Sequence, residues 1–429
     1  MKFLMVSKCG EGAQVLYNIG LEGNQVRLHI QEPEYRRNWN GLIKQVDLDT
    51  TFLDHDTIVI FDFSTMGETA DLLRRGGHKV FGGSSFADRL EEDREFGFQF
   101  MDKCGIQRPK MQTFSSGQLS AAKDYIRERG ERLVFKPSGD SLPCHLTYCS
   151  KDGEDCLQFI EYAFRYHSKD IESFVLQDFI EGDIISTELW FDGEKAVYPA
   201  NHTIECKKFM NDDLGPSVGC SGNLVWAEFD DCPIVNEGIG KVEKELVKQQ
   251  YCGQIDLNAI VNDKGIFGLE WTPRFGYDSI PTLLALLDLD IGEFFYNMAT
   301  GKGKMRLMEE FAAGVRFTIP PYPIEPEHSR IVLKESPNLG VPVRGFQEEH
   351  VECVYFYEVM LEGEDLVHAD GLGALGVANG ISEDPADAFD EAYEILKDVK
   401  IPDVQYRTDL GEVIPKMYEK ILEREGSYA

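Results

Sequence analysis

Residues 254–276 begin Gln254-Ile255-Asp256-Leu257-Asn258, pass a turn at Asn262-Asp263-Lys264-Gly265, and continue Gly268-Leu269-Glu270-Trp271-Thr272-Pro273-Arg274-Phe275-Gly276. Two runs of alternating apolar and polar residues around a short turn predict antiparallel strands, Gly253 to Val261 and Ile266 to Trp271. Residues two apart in a strand share a face, so Asp256 with Asn258, and Glu270 with Thr272, can look onto one site. Two hard oxygen ligands beside the cationic Arg274 suit Mg²⁺ bridging nucleotide phosphates. An ordinary hairpin with solvated acids would read the same, because polar residues on an open sheet face are common. Trp271 falls on the opposite face and is expected in the core.

The preceding sequence gives that hairpin a context. Lys136 follows the apolar strand Leu133-Val134-Phe135, where an inward ammonium can hold a phosphate as a point charge. The run Val175-Leu176-Gln177-Asp178-Phe179-Ile180-Glu181-Gly182-Asp183 has the form of a strand, a hinge and a glycine turn. Backbone groups at such a hinge can read an adenine edge while carboxylates accept from ribose hydroxyls. A basic anchor, a lysine strand, a hinge and a paired-acid hairpin, in that order, form the layout of an ATP-grasp enzyme.

The whole chain has 429 residues, with 43 basic and 75 acidic side chains and a net charge of −32. At roughly 100–200 residues per domain this allows two to four domains. Such acidity disfavours nucleic acid, whose binding depends on Lys/Arg neutralising phosphates, but leaves room for a local basic pocket. No run reaches the ~18–20 apolar residues of a membrane span, and polar residues come too early for a secretory leader, so a cytoplasmic protein with no membrane partner is expected. Ten scattered cysteines lack CxxC or zinc-like spacing and read as reduced structural thiols.

Strands alternate with helices at the N-terminus: Phe3 to Val6, a glycine turn at Gly10 and Gly12, a helix Ala13 to Gly20, then Val26 to Ile30, Thr57 to Phe61, and Lys79 to Phe81. This predicts a Rossmann-like, doubly wound sheet whose ligands sit at the carboxyl ends of strands, where Asp62 stands. The GxGxxG fingerprint is incomplete, which disfavours NAD. From Pro109 an α+β pattern takes over, with helices Leu119 to Arg129 and Cys156 to His167. A third region has a strand Ile185 to Phe191 and a helix from about Val235 to Gln250. A Pro-rich joint, Pro320-Pro321-Tyr322-Pro323-Ile324-Glu325-Pro326, precedes the last region, with its helix near Ala386 to Leu396. The expected domains are a pre-grasp α/β domain at 1–108, a mobile ATP-grasp lid at 109–185, an ATP-grasp catalytic subdomain at 186–315 and a C-terminal cap at 316–429.

Nearly the whole chain resembles the phosphoribosylamine–glycine ligases, the glycinamide ribonucleotide synthetases of purine biosynthesis. The likeness lies in Val80-Phe81-Gly82 through Leu90-Glu91 to Phe100-Met101, in Gly105-Ile106, in the hinge Asp178 to Gly182, and in Gly215-Pro216 through Gly219 and Gly222. It continues in Glu270 with Arg274-Phe275-Gly276, in Val367-His368-Ala369, in Leu375-Gly376-Val377, and in Tyr406-Arg407-Thr408-Asp409-Leu410-Gly411, close to that family's YRxDIG ending. The resemblance implies that Arg94 and Lys136 hold ATP phosphates, that Gln177, Asp178, Phe179 and Ile180 line the adenine pocket, and that Asp183 stands near the ribose. It makes Glu270 the main metal carboxylate, with Asp256 and Thr272 beside it, and Arg274 a phosphate clamp. Gly10, Gly12 and Asp62 fall on the ribosylamine side, and Lys207, Asp213 and Ser217 on the second-substrate loop. ATP, Mg²⁺ or Mn²⁺, and small-molecule amine and carboxylate substrates, phosphoribosylamine and glycine, are the implied ligands of a monomer or homodimer.

Departures from the family's pattern are specific. The glycine-rich lid loop is replaced by Pro137-Ser138-Gly139-Asp140-Ser141-Leu142-Pro143-Cys144-His145, which offers fewer backbone donors to phosphate. A metal-binding Asn becomes Thr272, and Asp256 supplies an acid on the neighbouring strand, as in D-alanine ligase. Gly-Gly-Arg-Glu-His becomes Cys9-Gly10-Glu11-Gly12-Ala13-Gln14, removing an arginine from the sugar-phosphate side, and Asn-Thr-Gly-Gly-Met-Gly becomes Ser217 to Gly222. The implied reaction is attack of a carboxylate on the γ-phosphate of ATP and capture of the acyl phosphate by an amine, under a lid that excludes water. A divergent ligase for another amine and carboxylate, and a nucleotide-binding protein without turnover, are the alternatives. His145 and His202 read as structural histidines, and Glu383-Asp384-Pro385-Ala386-Asp387 as a helix N-terminus.

Overall fold

The computed structural model describes residues 1–48, 51–138, 146–324 and 338–425. The N-terminal sheet consists of β1 (Lys2–Ser7), β2 (Gln25–Ile30), β3 (Thr57–Phe61) and β4 (Lys79–Phe81), all parallel, in the order β2-β1-β3-β4. Connections leave in opposite directions from β1 and β3, so their carboxyl ends flank the crevice where open α/β sheets bind ligands. The near-continuous apolar strands, with Phe3 to Val6 and Ile58 to Phe61 buried, are those of a sheet covered on both faces.

A second sheet holds β5 (Met111–Ser115), β6 (Leu133–Ser138), β7 (Tyr148–Cys149) and β8 (Ser173–Asp178), all antiparallel, in the order β5-β8-β6-β7. Helices 119–129 and 153–167 present Ala122, Ile126, Cys156, Ile160 and Ala163 at helical spacing to Phe114, Phe135 and Phe174. Asp152 caps the second helix by accepting from Asp155 N at 2.8 Å, and Gly130 ends the first at φ 64°. This unit buries its own apolar cluster, separate from the one that runs through the rest of the chain.

The largest sheet comprises β9 (Asp183–Asp192), β10 (Ala196–Met210), β11 (Leu214–Glu228), β12 (Cys252–Asn262), β13 (Gly265–Thr272), β14 (Phe311–Thr318), β15 (Val354–Phe356) and, after the hairpin β16 (Val359–Glu362) and β17 (Asp365–His368), β18 (Ala374–Ser382). Its order is β13-β12-β9-β10-β11-β14-β18-β15. The expected divisions at 185/186 and 315/316 fall inside β9 and β14, and the C-terminal strands extend the same sheet. One core joins Phe3 and Leu28 of the first sheet to Trp190, Leu224, Val377 and Ile421. Residues 111–178 therefore have a core of their own, and a small further cluster of Val6, Val59, Phe61, Phe63, Ala70 and Val80 lies within the N-terminal unit.

One local expectation is corrected, and one element appears that was not expected. The helix expected over about 235–250 is instead three pieces, Pro233–Glu237, Ile239–Val242 and Glu243–Lys248. It breaks at Gly238, whose φ −107° and ψ −113° no helix tolerates and where a Cβ would meet Ile234 O at 2.6 Å. The long β10–β11 hairpin has no counterpart in the sequence reading, because Pro199, Gly215, Pro216, Gly219 and Gly222 mask its alternation. No described helix is long and apolar enough to cross a membrane, and no disulfide joins the nine described cysteines.

Candidate active site

Asp256 lies opposite Thr272, and Asn258 opposite Glu270, with Leu269 an extra residue that bulges the ladder. All four line one cavity of about 640 Å³, together with Ser186 and Glu188 of β9, Thr203, Glu205 and Lys207 of β10, Ser217 to Cys220 of β11, and Arg274. Asp256 Oδ2 accepts from Asn258 Nδ2 at 2.8 Å and Ser186 Oγ at 3.1 Å. Its Oδ1 is buried with no hydrogen-bond partner among the described residues. Burial, then Glu188 and Glu205, push this carboxyl well above the usual range, so a cation against Oδ1 would relieve a real electrostatic cost. Glu270 is exposed in the same cavity. An acid pair with hydroxyl and amide oxygens alongside fits a hard divalent ion.

A smaller cavity of about 230 Å³ shares Glu270, Thr272 and Arg274 with the first and adds Glu91 and Arg94. Arg94 opens the helix Arg94–Cys104, whose N-cap Asp93 accepts from Phe96 N, and its Nη1 donates to Lys136 O at 3.3 Å. Burial lowers the pKa of both Arg94 and Lys136, and the nearby Glu270 charge raises each again. The three basic residues expected on phosphates thus gather about Glu270. Arg274 Nε donates to Glu91 Oε1 at 3.0 Å, while Trp271 faces the core and donates to Gly97 O at 2.9 Å.

A third cavity of about 470 Å³ opens at the carboxyl ends of β1 and β3, lined by Lys8, Cys9, Glu11, Phe63, Ser64, Thr65, Glu91, Arg274 and Tyr277 among others. Gly10, Gly12 and Asp62 do not form its wall. They are buried behind it: Gly10 O accepts from Trp39 Nε1 at 2.9 Å, and Asp62 Oδ2 accepts from Ser7 Oγ at 2.6 Å and Gly12 N at 3.1 Å. A Cβ on Gly12 would come within 2.4 Å of Asp62 Oδ2, so glycine is required for this approach. Glu11, between the two glycines, is the residue that reaches the cavity. Burial raises the Asp62 carboxyl to about 7.

The hinge lies elsewhere. Asp178, Phe179 and Ile180 line a cavity of about 920 Å³ that shares no residue with the one at Glu270. Arg132 stacks 3.5 Å over the Phe179 ring, Asp178 pairs with Arg129 at 2.9 Å, and Asp183 with Arg424 at 3.2 Å. Gln177 is buried, with Oε1 unpartnered among the described residues, an open acceptor for an exocyclic amine. The lid loop 139–145, with His145, lies outside the described residues.

On the hairpin, Lys207 and Ser217 line the main cavity, and Lys207 pairs with Glu205. Asp213 does not line it; it accepts from Arg407 at 2.8 Å. Arg407 is 1% exposed and also pairs with Asp409 at 2.8 Å, so the Tyr406-to-Gly411 segment clamps the hairpin tip. His202 sits on the opposite face of β10 from Thr203, its Nδ1 2.9 Å from Thr187 Oγ1 and its Nε2 3.7 Å from Cys232 Sγ, and burial holds it neutral with a pKa of about 3. The sequence reading also missed Glu11, Glu188, and the Asp278–Arg316 pair at 2.9 Å, all on the main cavity. The only signal for Glu11 was its place between two turn glycines.

Residues 92–278 match the ATP-grasp (A) domain of phosphoribosylglycinamide synthetase. A phosphoribosylamine–glycine ligase of Leifsonia xyli is 27% identical over 361 residues, 80% of each chain, and one of Rhizobium meliloti is 25% identical over 394 residues, 85% of this chain and 88% of that protein. The solved phosphoribosylamine–glycine ligase of Thermotoga maritima superposes with a TM-score of 0.70 at 18% identity, over 95% of this chain and 99% of that one. Biotin carboxylase of Campylobacter jejuni superposes at 0.63 with 13% identity, over 98% and 96%, which makes the shared fold that of ATP-grasp proteins at large. The domain match, and relatives that align along four-fifths of the chain, point to one branch of that fold: residues 92–278 carry the ATP-grasp (A) domain of phosphoribosylglycinamide synthetase, and the chain as a whole is similar to the phosphoribosylamine–glycine ligases.

Proposed function

We propose that this protein is an ATP-dependent carboxylate–amine ligase that works through an acyl phosphate, joining phosphoribosylamine and glycine into glycinamide ribonucleotide with release of ADP and phosphate. The observation that carries the ligase reading is the gathering of Arg94, Lys136 and Arg274 about Glu270, one strand from the unpartnered Asp256 Oδ1. In a chain of net charge −32 this is a place built to receive phosphate.

Glu270 and Asp256, with Thr272 and Asn258 beside them, would hold Mg²⁺ or Mn²⁺, which supplies charge neutralisation on the transferred phosphoryl group. Arg94 and Lys136 orient the phosphates, and Arg274, fixed by Glu91, stabilises charge where the main and smaller cavities meet. Gln177 to Ile180 remain the proposed adenine contacts and Asp183 a ribose contact, once the lid unit moves over the large sheet. That unit has its own core, which suits it to move as a body and exclude water from the acyl phosphate. The cavity at β1 and β3 takes the amine substrate, with exposed Lys8 offering a cation to its phosphate and Asp62 bracing the Gly10–Gly12 turn from behind. Lys207 and Ser217 take the carboxylate, and Asp213 acts on this loop through Arg407.

A second reading, ligation of a different amine and carboxylate, is favoured by one observation: the N-terminal turn presents Glu11 to the cavity where the family resemblance calls for an arginine. Complementation of a purine-auxotrophic strain lacking the synthetase separates the two. Growth is expected for the phosphoribosylamine reading, and no growth despite well-expressed protein would sink it.

A further inference from the structure

Glu11, Arg274 and Tyr277 are common to the main cavity and to the cavity at the ends of β1 and β3. Resting on the ligase reading above, the first holds the acyl phosphate and the second the acceptor amine, so these three side chains stand where the new C–N bond forms. A base is needed there, because the amine nitrogen must lose a proton as it becomes an amide. Arg274 cannot accept one; its guanidinium stays charged and is held by Glu91. Tyr277 is a poor candidate as well, since burial and the charges of Asp62 and Glu11 keep its phenol protonated. We infer that the Glu11 carboxylate is the base that takes the proton from the attacking amine.

Placement and surroundings both suit that task. The turn from β1 is pinned by Gly12 N donating to Asp62 and by Gly10 N donating to Ser7 Oγ at 2.9 Å, so Glu11 is carried on a fixed backbone at the switch point of the parallel sheet. The charged groups about it come from several elements: Asp62 after β3, Asp278 before the helix Ser279–Ala285, Arg316 on β14 and Glu358 between β15 and β16. Cys9, two residues away, has a thiol that burial pushes up and so adds no charge. Burial is the largest influence on Glu11, Arg316 opposes it, and the three acids reinforce it, leaving the carboxyl at about 7. A base matched to neutral pH is the efficient one.

The step balances without any further reagent. The amine lone pair attacks the acyl carbon and the C–N bond forms. The nitrogen gives one proton to Glu11. The bond from the acyl carbon to the phosphate oxygen breaks, its electron pair leaves with inorganic phosphate, and Glu11 returns the proton to that phosphate or to solvent.

The test compares the full-length protein with E11Q and E11D in two assays: amide formation with phosphoribosylamine, glycine and Mg-ATP across pH, and trapping of the acyl phosphate by hydroxylamine in place of the amine. Hydroxylamine is unprotonated at neutral pH and attacks acyl phosphates without a base. E11Q is expected to lose about 100-fold or more in kcat for amide formation, and the limb of its pH profile near 7, with KM for the amine little changed. Its hydroxamate yield should stay within about two-fold of the unaltered protein, and E11D should recover part of the lost rate. Unchanged amide kinetics in E11Q, a loss confined to KM, or an equal loss of hydroxamate would each overturn the proposal. Failure of the unaltered protein to give hydroxamate would instead overturn the ligase reading, and the role of Glu11 with it.

Discussion

Arg274 Nε sits 3.0 Å from Glu91 Oε1, tying the segment just beyond β13 to the helix Ser85–Glu92 of the N-terminal unit. The same guanidinium lines the main cavity, the smaller one beside Arg94 and the one at β1 and β3. Glu91 therefore sets the position of the one side chain on which all three cavities converge.

Removing the charge of Glu91 should show this. E91Q keeps an oxygen that can accept from Arg274 but removes the charge that holds the guanidinium in place, so kcat/KM for ATP is expected to fall about 10- to 100-fold. Both side chains are partly exposed, at 31% and 25%, so stability should change by less than about 1 kcal/mol. Steady-state kinetics beside a urea titration check both; full activity in E91Q would remove Arg274 positioning from the mechanism.

The acid pair makes a separate expectation. E270Q and D256N keep the size of each side chain but remove a charge, and each should weaken Mg²⁺–ADP binding by about 10-fold or more. Calorimetric titration of Mg²⁺ in the presence of ADP measures it. Affinities equal to those of the unaltered protein would mean that neither carboxylate holds the ion.

Arg407 and Asp213 separate stability from exposure. Replacing Arg407, 1% exposed, by Met strands the carboxylate of Asp409 and should cost about 3–5 kcal/mol. D213N removes a partner that is 64% exposed and should cost less than about 1 kcal/mol. Equal losses in urea unfolding would show that the hairpin tip is not held in the way the geometry implies.

Glu188 gives a pH dependence with a definite sign. It is 3% exposed, accepts from Asn201 Nδ2 at 3.1 Å, and is raised by burial from 4.5 to about 7. The folded protein keeps this proton after the unfolded chain has released it, so the contribution is full below about pH 4.5 and is lost as pH rises toward 7. The unfolding midpoint is therefore expected to fall between pH 5 and pH 8 by less in E188Q than in the unaltered protein. Parallel curves for the two would contradict the assignment.

What the sequence disclosed and what it hid have the same cause. The hairpin 252–272 was legible because alternation and a turn are local signals, and with them came the common face of Asp256, Asn258, Glu270 and Thr272. The β10–β11 hairpin was not, because its glycines and prolines blur alternation while its tip is secured by Arg407, almost two hundred residues away. Gly10 and Gly12 drew notice as turn residues, yet they serve to bring Asp62 close, and Glu11 between them faces the cavity. Its setting depends on Asp278, Arg316 and Glu358, which no spacing rule connects to residue 11.

The most direct measurement is ADP release by the purified protein with Mg-ATP, glycine and freshly made phosphoribosylamine, with the amide product followed by mass spectrometry. Equal amounts of ADP, phosphate and glycinamide ribonucleotide, formed only when both substrates are present, are expected. Binding of Mg-ATP with no ADP release above background, for this or any other amine and carboxylate pair, would contradict a ligase and leave a nucleotide-binding protein.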